Sequence, residues 1–114
     1  MSDNCLFCKI IAGQIPSNKV YSDEQMVAFR DINPTAPHHI LIVPRKHIVD
    51  IAHATAEDQS LLGDLLLQAG EIAKNEGLDE RGFRIVINTG KDGGQTVFHL
   101  HVHVLGGRQL RALG

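Results

Sequence analysis

Three histidines stand at alternate positions near the end of the chain, namely His99, His101 and His103. The residue after each of them is apolar: Leu100, Val102 and Val104. This alternation predicts a half-buried β-strand over residues 97–105, because side chains two positions apart on a strand leave the same face. Imidazole titrates near neutral pH, binds metals and can act as a base or nucleophile. The pattern therefore favours a catalytic surface or a set of metal ligands.

Two cysteines near the start of the chain, Cys5 and Cys8, form a Cys-x-x-Cys pair. They are too close in sequence to form a useful disulfide staple, so in a reducing compartment the pair indicates metal binding or redox chemistry. A closed tetrahedral zinc site needs two further ligands. A thioredoxin-like redox motif needs a strand and loop before the pair, and the pattern there predicts neither.

The segment directly before the histidines is Gly93-Gly94-Gln95-Thr96. Backbone N–H groups of such a loop can hold a phosphate, although most glycine pairs are ordinary turns. Other polar residues also have simple local interpretations. Asp31 suits an Asx turn, and Asn88 is a turn former at a strand end. His39 stands beside His38 at the start of a predicted strand, where a histidine can simply be exposed.

Composition limits the classes of protein that the chain can belong to. Its 114 residues predict a single domain over 1–114, with 43% hydrophobic and 21% charged residues as in an ordinary globular protein. The net charge of -2 offers no electrostatic case for binding nucleic acid or a membrane surface. No apolar run is long enough to cross a bilayer, and no signal peptide precedes the first motif, so we expect a cytoplasmic protein.

The elements that must position these residues follow from periodicity and turn signals. Asn4 is expected to cap a short helix over residues 5–12, with Gly13 at its end. Thr55 is expected to begin one long helix that ends at Gly77, because apolar residues recur between them at helical spacing. Strands are predicted near residues 19–21, 26–30, 39–43, 83–88 and 97–105. This order predicts an α+β domain with a mostly antiparallel sheet.

Four segments are specific when they are taken together with the alternating histidines: Cys5-Leu6-Phe7-Cys8-Lys9-Ile10-Ile11, Ala28-Phe29-Arg30-Asp31-Ile32-Asn33-Pro34-Thr35-Ala36-Pro37-His38-His39, Pro44-Arg45-Lys46-His47 and Gly93-Gly94-Gln95-Thr96. With them the chain resembles the histidine triad (HIT) family over essentially its whole length. It looks most like the nucleotide-binding branch that hydrolyses purine nucleoside phosphoramidates. The resemblance implies a HIT-like fold of about five strands with one short N-terminal and one long helix. It also implies a homodimer through the long helix, where Leu67 lies outside the inner apolar stripe.

The resemblance further implies catalytic roles for four residues. His101 is then the nucleophile, which attacks the α-phosphorus and forms a nucleotidyl-histidine intermediate that water hydrolyses. His103 and His39 would flank the phosphate as hydrogen-bond donors, whereas His38 is expected to face solvent. Thr96 stands where the family usually has serine, near the leaving group, and it retains the hydroxyl.

A nucleotide site is implied in the same way. Asp31 would accept hydrogen bonds from the ribose hydroxyls, for which a carboxylate is a suitable partner. Phosphate or hydroxyl binding is implied for Asn88, Gly94 and Gln95. The walls of the base site would be apolar: Leu6, Phe7, Ile10, Phe29 and Ile32. Such walls hold a purine by burial, so we expect loose base selectivity.

For the metal, the resemblance implies a structural zinc held by Cys5, Cys8, His47 and His99. One departure concerns the tail, since several relatives carry an aromatic residue after Gly-Gly-Arg whereas this chain has 0 Trp. Substrate selection through the tail therefore does not carry over. Three other functions stay open, namely dinucleoside-polyphosphate hydrolysis, a nucleotide-binding regulatory module with incidental activity, and simple metal binding through the histidines.

Overall fold

Five short strands pair edge to edge in the computed structural model, which describes residues 4–113. The strands are β1 (Lys19–Ser22), β2 (Met26–Arg30), β3 (His38–Pro44), β4 (Phe83–Val86) and β5 (Val102–Gly106). They form one sheet in the order β1-β2-β3-β5-β4, and every neighbouring pair is antiparallel. The predicted α+β fold with an antiparallel sheet is confirmed.

The long helix, α2 (Gln59–Asn75), covers one face of this sheet. Its buried residues recur at helical spacing: Leu65, Ala69, Ile72 and Ala73. They pack in one core with sheet residues that include Ile40, Ile42, Val102 and Val104. Thr55 does not begin α2 directly, because it caps a short 3-10 turn, Ala56–Asp58, that leads into the helix.

The short helix, α1 (Leu6–Ile11), belongs to a second core on the opposite face of the sheet. Alternate residues of β2 and β3 turn to this side, among them Phe29 and Leu41. The predicted cap at Asn4 is wrong, since Cys5 is the N-cap and its Sγ accepts a hydrogen bond from the Cys8 N–H at 3.3 Å. The capping residue of α1 is thus also one of the candidate metal ligands.

The strand predicted over residues 97–105 begins only at Val102. Its partner β3 ends at Pro44, which has no N–H to extend the hydrogen-bond ladder. Instead, the Leu100 N–H donates to the Ile48 carbonyl at 2.6 Å, outside the ladder. Strand β4 likewise ends at Val86, before the predicted end at residue 88. Of the three alternating histidines, only His103 therefore lies on a strand.

His38 does not simply face solvent, because its Nδ1 lies 2.9 Å from Oε1 of Glu76, the C-cap residue of α2. The same carboxylate accepts two hydrogen bonds from the Arg30 guanidinium, at 2.8 and 3.0 Å. These bonds to Arg30, and then the one to His38, hold the pKa of Glu76 below its usual value against the effect of burial. The network joins the end of α2 to the strand start that carries His39.

No helix within residues 4–113 is long and apolar enough to cross a membrane.

Candidate active site

Four histidine rings and one phenylalanine ring form a continuous row from the start of α1 towards β5. Ring centroids are 4.8 Å apart for His47 and His99, and 6.0 Å for His99 and Phe7. Phe7 also contacts His101 at 5.0 Å, and His101 lies 4.9 Å from His103. The residues that follow His99, His101 and His103 turn the other way, into the main core: Leu100, Val102 and Val104. The histidines thus share one side, although the backbone there is mostly irregular.

His101 is held in one tautomer by the backbone. Its Nδ1 lies 2.8 Å from the carbonyl oxygen of His99, and because a carbonyl only accepts, Nδ1 carries the proton. The lone pair is therefore on Nε2. Burial lowers the pKa of His101, although the hydrogen bond to His99 and the charge of Asp31 act in the opposite direction. The structure therefore presents a neutral imidazole whose Nε2 can act as a nucleophile.

A second chain of hydrogen bonds sets the tautomers of His39 and His103. The Thr35 N–H donates to His39 Nδ1 at 3.1 Å, so the proton of neutral His39 is on Nε2. That Nε2 lies 2.9 Å from His103 Nδ1, which accepts the bond, and His103 is then protonated on Nε2. Within the described residues this buried Nε2 has no hydrogen-bond partner. His103 therefore offers a donor that a ligand oxygen can satisfy.

Burial also keeps these two imidazoles neutral. It lowers the pKa of His39, and together with the nearby His101 and His39 rings it lowers the pKa of His103 to about 4. The negative charge of Asp31 acts in the opposite direction on both histidines. Near pH 7 the donor that this group offers to a ligand is therefore uncharged.

The position of Asp31 is compatible with both roles considered for it, the Asx turn and a hydrogen bond to a ligand. Its Oδ1 accepts the Asn33 N–H at 2.9 Å, which makes the Asx turn. Its Oδ2 lies 3.4 Å from His39 Nε2, at the edge of the histidine group. A turn role and a ligand role are therefore compatible, because they use different oxygens of one carboxylate.

The implied base walls are divided between the core and the surface. Phe7, Ile10 and Phe29 are only 4–6% exposed and belong to the second core. Leu6 is 42% exposed and Ile32 is 90% exposed. Leu6 and Ile32 therefore present most of the exposed apolar surface of this group, and the role of the five residues as walls of a base site stays a prediction.

The loop over residues 90–96, here called the glycine loop, is shaped by its own hydrogen bonds. A Cβ on Gly93 would collide with the Thr89 carbonyl oxygen, and Gly94 has a φ of +92°, so both positions favour glycine. The N–H groups of Gly94 and Gln95 donate within the loop at 3.0 Å, to the carbonyl oxygens of Lys91 and Gly90. Phosphate binding by the loop stays a prediction, and these two N–H groups already have backbone partners.

The other implied loop residues take different positions. The Gln95 side chain points inward and bonds to the backbone, whereas Thr96 is exposed. The amide of Asn88 lies beside Gly94, 3.7 Å from where a Cβ there would be. Thr96 lines a cavity of about 420 Å³ together with His47, Val49 and Phe98. Thr96 is thus exposed at a cavity, whereas its neighbour Gln95 is buried.

Four ligand atoms converge at the other end of the row of rings, from Cys5, Cys8, His47 and His99. His99 Nδ1 lies 3.3 Å from Cys5 Sγ and 3.6 Å from Cys8 Sγ, while His47 Nδ1 lies 3.3 Å from Cys8 Sγ. Tetrahedral bonds of about 2.0–2.3 Å would place such sulfur and nitrogen ligands about 3.5 Å apart. His99 Nε2 donates to the Pro44 carbonyl at 2.8 Å, which leaves the Nδ1 lone pair directed at the sulfurs.

A second group of possible ligands, Asp31, His39 and His103, does not suit a metal ion. The Thr35 N–H occupies His39 Nδ1, so His39 Nε2 carries a proton and cannot ligate. The two groups therefore differ in chemistry. One presents lone pairs to a cation, and the other presents a proton to an anion.

The backbone atoms that set these tautomers could not be predicted from the sequence. The Thr35 N–H and the carbonyl groups of Pro44 and His99 act on three histidines, yet side-chain type does not encode their positions. The Glu76 network was also missed, since Glu76 lies 46 residues after Arg30. An Asp or Glu at a helix end gives no sign of its long-range partner.

The chain is similar to known proteins over most of its length. A family model described as HIT domain matches residues 12–110. Protein HitA of Neisseria gonorrhoeae is 56% identical over 104 residues, which cover 91% of this chain and 96% of HitA. The purine nucleoside phosphoramidase of Escherichia coli (strain K12) is 46% identical over 110 residues, which cover 96% of this chain and 92% of that protein.

Among solved structures, a HIT family hydrolase from Legionella pneumophila Philadelphia 1 superposes with a TM-score of 0.93 at 50% identity. The match covers 95% of this chain and 96% of that one. Family model, relatives and structure all extend over most of the chain, and the residues that the family model matches include His39, His47 and the three alternating histidines. The chain belongs to the HIT domain family and is a HIT family hydrolase.

Proposed function

We propose that this protein hydrolyses purine nucleoside phosphoramidates through a covalent nucleotidyl intermediate on His101. The observation that carries the proposal is the hydrogen bond from His101 Nδ1 to the His99 carbonyl, which leaves the Nε2 lone pair for attack. The similarity to the purine nucleoside phosphoramidase of Escherichia coli supports the choice of substrate.

In the first step, His101 Nε2 attacks the α-phosphorus and a P–N bond forms to the enzyme. The P–N bond to the leaving amine breaks, and the amine departs with the electron pair and takes up a proton. His101 then carries a positive charge, which the His99 carbonyl stabilises through Nδ1–H. His103 Nε2–H donates to a non-bridging oxygen as charge develops there.

In the second step, water attacks the phosphorus of the intermediate and loses a proton. The bond between phosphorus and Nε2 breaks, and its electron pair returns to Nε2. The products are a nucleoside monophosphate and neutral His101, with the proton on Nδ1 as before. Thr96 is exposed, and following the resemblance we place the leaving group and the incoming water beside its hydroxyl.

The test compares adenosine 5'-phosphoramidate with a diadenosine polyphosphate as substrates of the purified protein. We expect a higher kcat/KM for the phosphoramidate. Preference for the dinucleotide would assign the protein to dinucleoside-polyphosphate hydrolysis. Tight AMP binding without turnover of either substrate would instead indicate a nucleotide-binding regulatory module.

A first prediction concerns the sugar. Deoxyribose lacks a hydroxyl and so leaves the Asp31 carboxylate without that donor, which costs about 1–3 kcal/mol. Asp31→Ala should therefore erase the preference for ribose over deoxyribose. Adenosine and guanosine substrates should stay within roughly tenfold of one another, or about 1.4 kcal/mol. Competition assays with the four substrates measure both ratios.

Asp31→Asn is the matched control, because its Oδ1 can still accept the Asn33 N–H and keep the Asx turn. If Asp31→Ala loses the ribose preference only because the Asx turn is disrupted, Asp31→Asn should show the wild-type preference. If Asp31→Ala still favours ribose as strongly as the wild type, Asp31 is a turn residue and the sugar is recognised elsewhere.

We also infer that Cys5, Cys8, His47 and His99 hold a structural zinc. The donor set, its 3.3–3.6 Å separations and the burial of both cysteines support this choice. Zinc bound there would cross-link the start of α1 to the segments that carry His47 and His99. His101 is not a ligand, so the metal would not take part in the attack.

A second prediction concerns assembly, since we infer a homodimer. Leu66 and Leu67 of α2 are 46% and 74% exposed, and Ile85 of the edge strand β4 is 37% exposed. Leu67→Asp should therefore weaken self-association, because a charge would enter an apolar contact. Molar mass at micromolar concentration measures the effect, with the exposed Gln59→Asp as control. A monomeric wild-type protein at that concentration would contradict the dimer.

A further inference from the structure

Gln95 is only 4% exposed, although the loop residues before it, Lys91 to Gly94, are all exposed. Its Oε1 accepts a hydrogen bond from the Gly90 N–H at 2.8 Å. Its Nε2 donates to the carbonyl oxygens of Val49 at 2.7 Å and Val97 at 3.1 Å. Both amide protons are thus already donated to the backbone, and none is left for a nucleotide.

We propose that Gln95 is a positioning residue. It acts on the reaction by holding the glycine loop in place, and it does not itself bind the nucleotide. The inference rests on the proposed function. The three bonds of the amide join the start of the loop, the segment after β3 and the segment that leads to the histidines. Thr96 lies between Gln95 and Val97, so the bond to Val97 closes a turn around it.

This turn holds the backbone that carries Thr96. Thr96 is exposed while its neighbour Gln95 is buried, and it lines the cavity of about 420 Å³ next to Val49 and Phe98. The bond from Gln95 to Val49 holds one wall of that cavity to the loop. Gln95 therefore fixes Thr96 and part of the cavity wall relative to each other.

The chemistry of the position requires an amide. One acceptor and two donors must come from one buried, uncharged side chain of this length. Glutamate has no proton to donate to two carbonyl groups and would bury a charge. Methionine has a similar length but would leave the Gly90 N–H and both carbonyls without their partner. The main chain adds a further link, since the Gln95 N–H donates to the Gly90 carbonyl at 3.0 Å.

A double-mutant cycle between Gln95→Met and Thr96→Val tests the proposal. With adenosine phosphoramidate, Gln95→Met should lower kcat about 10- to 100-fold, because small misplacements of catalytic groups have effects of this size. KM should stay within about threefold of the wild-type value, since no nucleotide contact is removed. Thr96→Val should then change kcat less than about twofold in the Gln95→Met background.

Two controls separate positioning from general damage. Gln59→Met changes an exposed glutamine at the start of α2, and Ile72→Val weakens the main core without touching the loop. Both should keep the wild-type kcat. Gln95→Asn, with the same amide on a shorter stem, should recover part of the loss.

Independent, additive losses from Gln95→Met and Thr96→Val would overturn the proposal. So would a rise in KM at unchanged kcat, which would indicate direct binding of the nucleotide. A wild-type protein that hydrolyses no phosphoramidate contradicts the proposed function instead. Hydrogen exchange at the Gly94 N–H then decides the role of Gln95: faster exchange in Gln95→Met supports it, and unchanged exchange overturns it.

Discussion

His101→Ala is expected to reduce phosphoramidate turnover by roughly five to six orders of magnitude, as removal of a nucleophile does in other enzymes. The physical reason is the loss of the only Nε2 lone pair that a backbone carbonyl orients within the group of His39, His101 and His103. AMP binding should be largely retained, because His103 still offers its Nε2–H to a phosphate oxygen. Single-turnover kinetics and calorimetry measure the two effects.

Removal of a buried ring also opens space beside Phe7, so a second variant is needed. His101→Asn provides an amide N–H that can donate to the His99 carbonyl in place of Nδ1, but it has no nucleophile. It should fold normally and be equally inactive. His53→Ala, at an exposed histidine in a 3-10 turn, is the control and should be fully active. Trapping of the nucleotidyl group on another residue, or near-normal turnover in either variant, would contradict the assignment.

The second large effect concerns the metal. The purified protein should contain about one zinc per chain, and the double variant Cys5→Ala, Cys8→Ala should lose it. Because binding free energy at a structural site adds to folding free energy, the melting temperature should fall steeply. Substantial catalysis should remain below that temperature, since His101 is not a ligand. Metal analysis and thermal unfolding measure the two changes.

His47→Ala is a useful companion, because it removes one ligand and leaves the cap of α1 intact. It should weaken zinc binding and shift the melting temperature in the same direction. Absence of metal in wild-type protein prepared under reducing, zinc-replete conditions would reject the site. Complete inactivity of a folded, metal-free variant would show that the zinc is catalytic.

The fold could be predicted closely where side-chain periodicity decides the structure. The apolar spacing of α2 and the alternation of Val102 and Val104 depend on burial alone, and both agree with the structure. The strand prediction failed at residues 97–101, where the end of the neighbouring strand outweighs the alternation of side chains. Residues 97–101 alternate like a strand, but their would-be partner strand stops at Pro44. A pattern in one segment does not report where its neighbour ends.

The candidate site divides in the same way. The pair of Cys5 and Cys8 could be named from its spacing, whereas His47 and His99 followed only from the resemblance to the HIT family, and the structure brings the four together. What each side chain does in the site depends on partners that are distant in sequence. Gln95 was expected to contact a ligand, yet Val49, 46 residues away, takes one of its protons. Phe7 and Phe29 were expected at a base site, and packing between α1 and the sheet buries them.

The tautomers of three histidines depend on main-chain atoms, namely the Thr35 N–H and the carbonyls of Pro44 and His99. A backbone atom is supplied by nearly any amino acid, so evolutionary drift at position 35 can replace the exposed threonine side chain freely. Proline is the exception, since it lacks the N–H on which His39 depends. Most single-nucleotide changes in the codon for Thr35 therefore leave the N–H that sets the tautomer of His39 in place, whereas a change to a proline codon removes it.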